Sequence, residues 1–435
     1  MTDTVSEIRD AKAAALEMAA LDTGVKNSAL NAMAEALEAN RSVILEANAE
    51  DVRDSEGKVP AEILSRLRLS DSKISDMVFS LKDVAALPDP VGETMSATEL
   101  DENLVLYQVR CPIGMIGVIF ESRPDVVPQI MSLCLKSGNS IAFKGGSEAR
   151  RSNRVLFDIL RDAAVSAGVP GKAFVLMETR EDIAEILKLD SYIDLLIPRG
   201  SYSFVRYIQE NTRIPVLGHS AGICHVYVDA DADMDTAFKV SLDSKIQYPA
   251  ACNAAEKLLV NSKVARYFLP RMADLFAANG VEMRVDGRCK PHMLGFDVKD
   301  ASDDDWYAEY DSRIIAIKVV DSADEAIDFI NSHSSHHTDC IISENEERQR
   351  DFVRRVDSAD VFINASTRFA DGYRFGKGAE VGISTGKVHA RGPMGMDGLM
   401  IYKYVLVGKG QTVKEYSGPD AKKYTHRHID AEYRL

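Results

Sequence analysis

Between residues 115 and 228 the chain repeats one device, a short apolar run followed by a stretch of helical period. Residues 115–120 (MIGVIF), 140–143, 174–177 and 194–197 read as strands. Residues 125–136, 148–167, 180–187 and 202–209 read as the helices between them, and 216–217 and 225–228 complete the series. Strands apolar at every position are buried on both faces, which predicts a parallel sheet with helices on each side. From about residue 231 a second series begins. Strands are expected at 257–260, 281–285, 313–320, 339–342 and 360–363, and helices at 234–244, 262–278, 322–332 and 344–356. A chain of 435 residues has room for two or three such units. The expected class is α/β, with two doubly wound parallel-sheet domains.

Other segments stand outside the alternation. Residues 4–81 carry apolar side chains at helical spacing, as at Ile8, Ala11, Ala15 and Met18, with breaks at Thr23-Gly24 and 57–60. Residues 95–110 have β-formers but few apolar residues, and read as one or two strands at an edge that needs a partner. A glycine-rich stretch, 371–395, has too little period to be one element. Residues 399–407 (LMIYKYVLV) read as a partly exposed strand, and the polar tail from Gly408 is expected to be mobile.

The formal net charge of −15 argues against nucleic acid as a main partner. An anionic ligand must then be held locally, by helix N-termini or a few basic groups. Six scattered cysteines without a CxxC fit a reducing compartment. The opening MTDTVSEIRD has acids and no apolar core, so no secretory signal is read there, and no apolar run approaches bilayer length. The cytoplasm is the expected location.

GxGxxG and GKS or GKT are absent, so the ordinary phosphate fingerprints are missing. Lys144-Gly145-Gly146 and Pro198-Arg199-Gly200 each end an expected strand and precede an expected helix. Ligands bind at such strand ends, and helix starts offer N–H groups to phosphate. Each is equally what an ordinary turn looks like. The histidines of HSSHH (333–337) lack the HExxH spacing of a zinc site and read better as a polar loop. His219, Cys224 and His225 precede a strand, and the loops 364–369 and 376–385 are polar and glycine-rich, as binding loops and plain turns both are. Cys252, in QYPAACNAAEKLLV (247–260), sits among Ala250, Ala251 and Ala254, which leave room for a carbonyl to reach the sulfur. By itself such a cysteine is more often inert packing than a nucleophile.

Taken in order, a set of motifs moves that balance. They are PIGMIGVIFESRPD (112–125), LKSGNSIAFKGGSEA (135–149), DLLIPRG (194–200), GHSAGICHVYVD (218–229), PAACNAAEKLLV (249–260), NASTRFADGYRFGKGAEVGIST (364–385) and HARGPMG (389–395). Together they resemble the gamma-glutamyl phosphate reductase family of the aldehyde dehydrogenase superfamily, over about residues 5 to 415. The resemblance implies an NADP-binding domain over 1–94 and 111–230 and a catalytic domain over 231–396. It implies an oligomerisation β element and tail over 95–110 and 397–420, in a homodimer or homotetramer. The implied reaction is NADPH-dependent reduction of L-glutamyl 5-phosphate to L-glutamate 5-semialdehyde with release of phosphate, the second step of proline biosynthesis.

The resemblance also distributes roles. Cys252 becomes the nucleophile that carries a thioacyl intermediate. Arg123 lies near the place of the asparagine that aids the oxyanion in the wider superfamily, and its fork suits a phosphate as well. The backbone N–H of Cys252 is the other oxyanion donor. Lys144 is implied at the adenosine ribose, Ser147 where a ribose contact is expected and Gly145 among the cofactor-binding residues, with Lys144 and Arg151 compatible with a 2′-phosphate. Pro198, Gly200 and Ser201 are implied at the pyrophosphate, and Glu309 at the nicotinamide ribose. Asn364, Ser366, Thr367, Arg368 and His389 are the candidates for the glutamate moiety, and no metal is implied. Val216 stands where hydrolytic members carry a water-activating glutamate, and His219 replaces the second of a glycine pair. The missing base favours an acyl phosphate substrate over hydrolysis of the thioester. Alternative readings are a CoA-acylating aldehyde dehydrogenase and a non-catalytic binding protein of the same fold. The implied protein partner is a transient glutamate 5-kinase contact, with no nucleic acid and no membrane.

Overall fold

The computed structural model describes residues 3–178, 181–218 and 221–433. His219 lies outside them. Five helices open the chain: α1 (Asp3–Met18), α2 (Thr23–Ala39), α3 (Arg41–Ser55), α4 (Ala61–Leu67) and α5 (Asp71–Ala86). Their apolar stripes, including Leu30, Met33 and Leu37 of α2 and Ile74, Val78 and Leu81 of α5, join the core of the first sheet. A hairpin follows, β1 (Thr94–Asp101) and β2 (Leu104–Pro112), turning at Asn103 with φ 58°.

The first alternating series is β3 (Met115–Phe120), α6 (Val126–Lys136), β4 (Ser140–Gly145), α7 (Arg150–Ser166), β5 (Phe174–Met177), α8 (Glu181–Ile186), β6 (Leu195–Arg199) and α9 (Tyr202–Asn211). Its sheet is parallel, in the order β5-β4-β3-β6. Every residue of β3 is buried, as a strand covered on both faces requires. The chain winds outward from β3 through β4 to β5 and then returns to the other side of β3 with β6. The carboxyl ends of β3 and β6 therefore flank a switch point, the place where an open sheet leaves a crevice for ligands.

The second series is β7 (Cys224–Val228), α10 (Met234–Ile246), β8 (Ala255–Asn261), α11 (Ser262–Ala278), β9 (Glu282–Val285), β10 (Val298–Asp300), β11 (Ile314–Val320), α12 (Ala323–His333), β12 (Thr338–Ile342), α13 (Glu346–Arg355) and β13 (Asp360–Ile363). It forms a seven-stranded parallel sheet, β10-β9-β11-β8-β7-β12-β13. Here the sequence reading needs a correction. Residues 225–228 do not complete the first sheet; as part of β7 they lie between β8 and β12 in the second. Beside β6 the first sheet gains, among the described residues, only an isolated bridge, Leu196 to Val216.

The glycine-rich stretch holds a short hairpin, β14 (Gly382–Ser384) and β15 (Gly392–Met394), each strand too brief to show a period. Finally β16 (Met400–Val407) and β17 (Arg427–Ile429) flank the early hairpin, giving the antiparallel sheet β16-β2-β1-β17. β16 pairs with β2 from Met400 opposite Pro112 to Val407 opposite Val105, so the edge expected at 95–110 has its partner. The tail departs from expectation. It is docked through β17 on β1, and the Tyr433 N–H donates to Thr94 Oγ1 at 2.8 Å. Its side chains are polar, but the unpaired backbone along β1 is what holds it. No helix among the described residues is long and apolar enough to cross a membrane.

Candidate active site

Cys252 occupies the turn between α10 and β8 and is half-buried. The turn is tight: the Ala254 N–H donates to Ala251 O at 2.8 Å. The Asn253 side-chain amide ties it to Ala370 O at 2.7 Å. From the other side Gly222 packs directly on the backbone of Cys252. A Cβ at position 222 would lie 2.1 Å from Cys252 O and 2.6 Å from its Cα, so glycine is the residue that fits. Cys224, which starts β7, donates its thiol to Cys252 O at 3.2 Å. Burial pushes the Cys224 thiol well up, so it acts as a neutral donor beneath the turn. Cys134, Cys289 and Cys340 are likewise buried with raised thiols, whereas Cys252 reaches the surface.

The amino end of the second sheet is charged beneath this turn. Lys245 of α10 meets Glu256 of β8 at 3.0 Å, both fully enclosed. Burial pushes the Glu256 carboxyl up to about 7. Lys257 sends its Nζ to Ala308 O at 2.6 Å and so anchors the loop that carries Glu309. Glu309 is half-buried, and its charge is felt at Cys224.

Arg368 comes to the same place. Its Nε donates to Gln247 Oε1 at 2.8 Å, and Arg374 donates to its carbonyl at 3.1 Å. Burial pulls the Arg368 pKa down and Arg374 adds to this, while the charge of a Cys252 thiolate opposes both. Ser366 and Thr367 pack on Ser244 of α10, and Thr367 Oγ1 is buried without a hydrogen-bond partner among the described residues. Two expected residues are not brought here. Asn364 takes up φ 53° and spends its amide on the backbone N–H and C=O of Ser343. That is the carboxyl end of β12, the opposite end from Cys224. His389 donates Nε2 to Gly398 O at 3.0 Å and lies exposed. Loop membership suggested both residues, but a loop that runs the length of a sheet brings only part of itself to one end.

On the first sheet, Lys144 is the penultimate residue of β4, is 4% exposed and donates to Gly145 O at 2.7 Å. Any Cβ at Gly145 would lie 2.2 Å from Asn153 Nδ2, and one at Gly146 would lie 2.0 Å from Glu148 Oε1. A shallow cleft here is lined by Gly145, Gly146, Ser147, Arg150 and Glu178. Arg150 lines it, not Arg151. Arg151 is engaged by Glu50, Asp51 and Asp54 of α3. At the start of α9 the Ser201 N–H donates to Glu121 Oε2 at 3.0 Å, so this helix end already accepts an anion. Pro198 is buried in β6 beside Gly218, and Gly200 lets Glu121 approach. Glu148 Oε1 takes both the N–H and the hydroxyl of Ser122, at 2.7 and 2.6 Å, and holds Ser122 at φ 48°. That turn launches Arg123, which is half-buried.

Several residues of this site carry no sequence signal of their own. Gly222, Asn253, Glu121 and Glu148 sit inside the quoted motifs, yet a glycine before a strand or a carboxylate after one reads as ordinary turn chemistry.

Relatives give the constellation a context. The aldehyde dehydrogenase family model matches residues 2–290. A gamma-glutamyl phosphate reductase of Methanosarcina mazei is 56% identical over 440 residues, covering 99% of this chain and 98% of that protein. One of Natronomonas pharaonis is 50% identical over 439 residues, covering 100% of both. The crystal structure of a gamma-glutamyl phosphate reductase from Thermotoga maritima superposes with a TM-score of 0.91 at 39% identity, covering 94% of this chain and 100% of that one. An acetylating aldehyde dehydrogenase from Geobacillus thermoglucosidasius shares the fold, with a TM-score of 0.65 at 17% identity over 94% of this chain and 96% of its own. Identity of this depth over nearly the full length means that the chain belongs to the gamma-glutamyl phosphate reductase family, within the aldehyde dehydrogenase family.

Proposed function

We propose that the chain reduces L-glutamyl 5-phosphate to L-glutamate 5-semialdehyde with NADPH, releasing phosphate, as the second step of proline biosynthesis. The observation that carries this reading is the setting of Cys252, a surface-reaching thiol on a turn gripped by Gly222, Cys224 and Asn253. Its Sγ bonds to the acyl carbon, the C–O bond to phosphate breaks, and the electron pair leaves with the phosphate. The Cys252 N–H and Arg123 stabilise the oxyanion that forms on the way. The nicotinamide, when bound, supplies the hydride that takes the thioester to the aldehyde level.

The chain's residues suit that cofactor. The amino end of α9, which accepts the Glu121 carboxylate, would take the pyrophosphate once Glu121 moves off. Lys144 and Ser147 would hold the adenosine ribose, with Arg150 as the further cation for a 2′-phosphate, and Glu309 would hold the nicotinamide ribose. Arg368, Ser366 and Thr367 would receive the glutamate moiety; Asn364 and His389 are left out. Val216 offers no base to activate water, so the thioester is kept for hydride.

The test is an assay with glutamate 5-semialdehyde, NADP and either phosphate or CoA. Turnover is expected to depend on phosphate and not on CoA. Cys252→Ser is expected to abolish turnover while NADPH affinity stays within about twofold, since the thiol makes the bond and does not hold the dinucleotide. Unchanged turnover in that variant would end the nucleophile assignment.

A further inference from the structure

A second arginine leaves the same crevice as Arg123. Arg199 closes β6, directly before Gly200 and Ser201. β6 lies beside β3 with Arg199 opposite Phe120. Neighbouring strands are ~4.8 Å apart, so Arg123, a few residues beyond Phe120, starts from an adjoining strand end. The Arg199 side chain crosses to the second unit. Its Nη1 donates to Val381 O at 3.1 Å and stands 3.7 Å from Glu380 Oε1. Gly382 makes room for it, since a Cβ there would lie 2.9 Å from Nη1. Only Nη1 of the fork makes a hydrogen bond among the described residues, which leaves the guanidinium's other donors for a ligand, and the side chain keeps 19% of its surface. The Arg123 side chain has no hydrogen bond or ion pair among the described residues, while its carbonyl accepts from the Val126 N–H at 3.1 Å.

Two guanidinium groups in one cleft repel each other. Burial pulls the Arg199 pKa down; Glu380 opposes this, Arg123 adds to it, and a Cys252 thiolate opposes it. Arg199 is thus within electrostatic reach of both the nucleophile and Arg123. Like charges brought together beside a nucleophile are relieved by an anion between them, and a phosphoryl group carries up to two negative charges. Its oxygens match the arginine fork.

We propose that Arg199 binds the phosphoryl group of the acyl phosphate, together with Arg123, and stabilises it as it leaves. This rests on the acyl phosphate reading of the site. As the Cys252 Sγ–carbon bond forms, the carbon–oxygen bond breaks, and the departing oxygen keeps the electron pair. Both guanidinium groups then share the charge of inorganic phosphate, and nothing is oxidised or reduced in that step.

The experiment runs the reaction from semialdehyde, NADP and inorganic phosphate. Arg199→Gln is expected to raise the KM for phosphate by about tenfold or more, with the KM for semialdehyde and for NADP within about twofold. Arg199→Lys should fall between, keeping the charge but not the fork. An unchanged phosphate KM would overturn the proposal. So would a parallel loss in all three constants, which is what breaking the bridge to Val381 would do by itself. If the wild type shows no dependence on phosphate at all, the acyl phosphate reading fails instead.

Discussion

A methyl group added at position 222 would meet the carbonyl carbon of Cys252 at 2.6 Å. Nothing flexible lies there to yield, because the neighbour is backbone. Gly222→Ala must therefore displace the turn that aims the sulfur. Misplacing a reacting group by about 1 Å costs ~100-fold in rate, so kcat/KM is expected to fall by about that factor while NADPH affinity holds. Steady-state kinetics with fluorescence titration of the cofactor checks this, and an undiminished rate would show that the close approach does not set the nucleophile. At this scale the sequence marks Cys252 through its small neighbours and the family motifs. It does not mark Gly222, because the residue that needs the glycine lies 30 positions away.

Among the elements, β8 has the most unusual demand placed on it. All seven of its residues are buried, yet Glu256 and Lys257 are consecutive and point to opposite faces. Glu256 faces Lys245, while Lys257 faces the Ala308 carbonyl and the Tyr310 ring. Burial pulls the Lys257 ammonium down to about 8 from 10.5; Glu256 opposes this and Lys245 adds to it. Between those values the unfolded chain holds a proton that the folded chain has released. By linkage, this group makes stability rise as pH climbs from about 8 to 10.5, by ~3 kcal/mol at full effect. Lys257→Met should remove that rise. Urea denaturation of both proteins at pH 8, 9 and 10 measures it, and parallel curves would refute it. Strand β8 itself is legible in its apolar stretch 258–260, but its buried charges are not, because partners on α10 and in the loop before β11 are needed to make them tolerable.

At the scale of the molecule, the antiparallel sheet is the part left unfinished. β16 is an outer strand, with Ile401, Tyr402, Tyr404, Leu406 and Val407 exposed along it. Such an apolar edge invites a further strand or sheet. We expect a second copy to cover it, so that Tyr404→Asp with Leu406→Asp lowers the mass seen by light scattering to that of one subunit. A wild-type protein that is already monomeric would remove this expectation.

The alternation of strands and helices in both sheets belongs to the sequence itself. Burial on two faces forces apolar runs, and helices force their own period, whatever lies nearby. The strand-end turns at Lys144 and Pro198 are local in the same way, whereas Cys252 stands out only through its small neighbours and the ordered family motifs. Other choices were made only in three dimensions. The β7 strand joins the second sheet, the tail docks on β1, Arg150 rather than Arg151 faces the cleft, and Asn364 turns to Ser343 instead of the thiol. Each is a choice of partner across a long stretch of chain. A strand's hydrogen bonds and a polar side chain's mate lie on other segments, so no window of neighbouring residues contains the information that settles them.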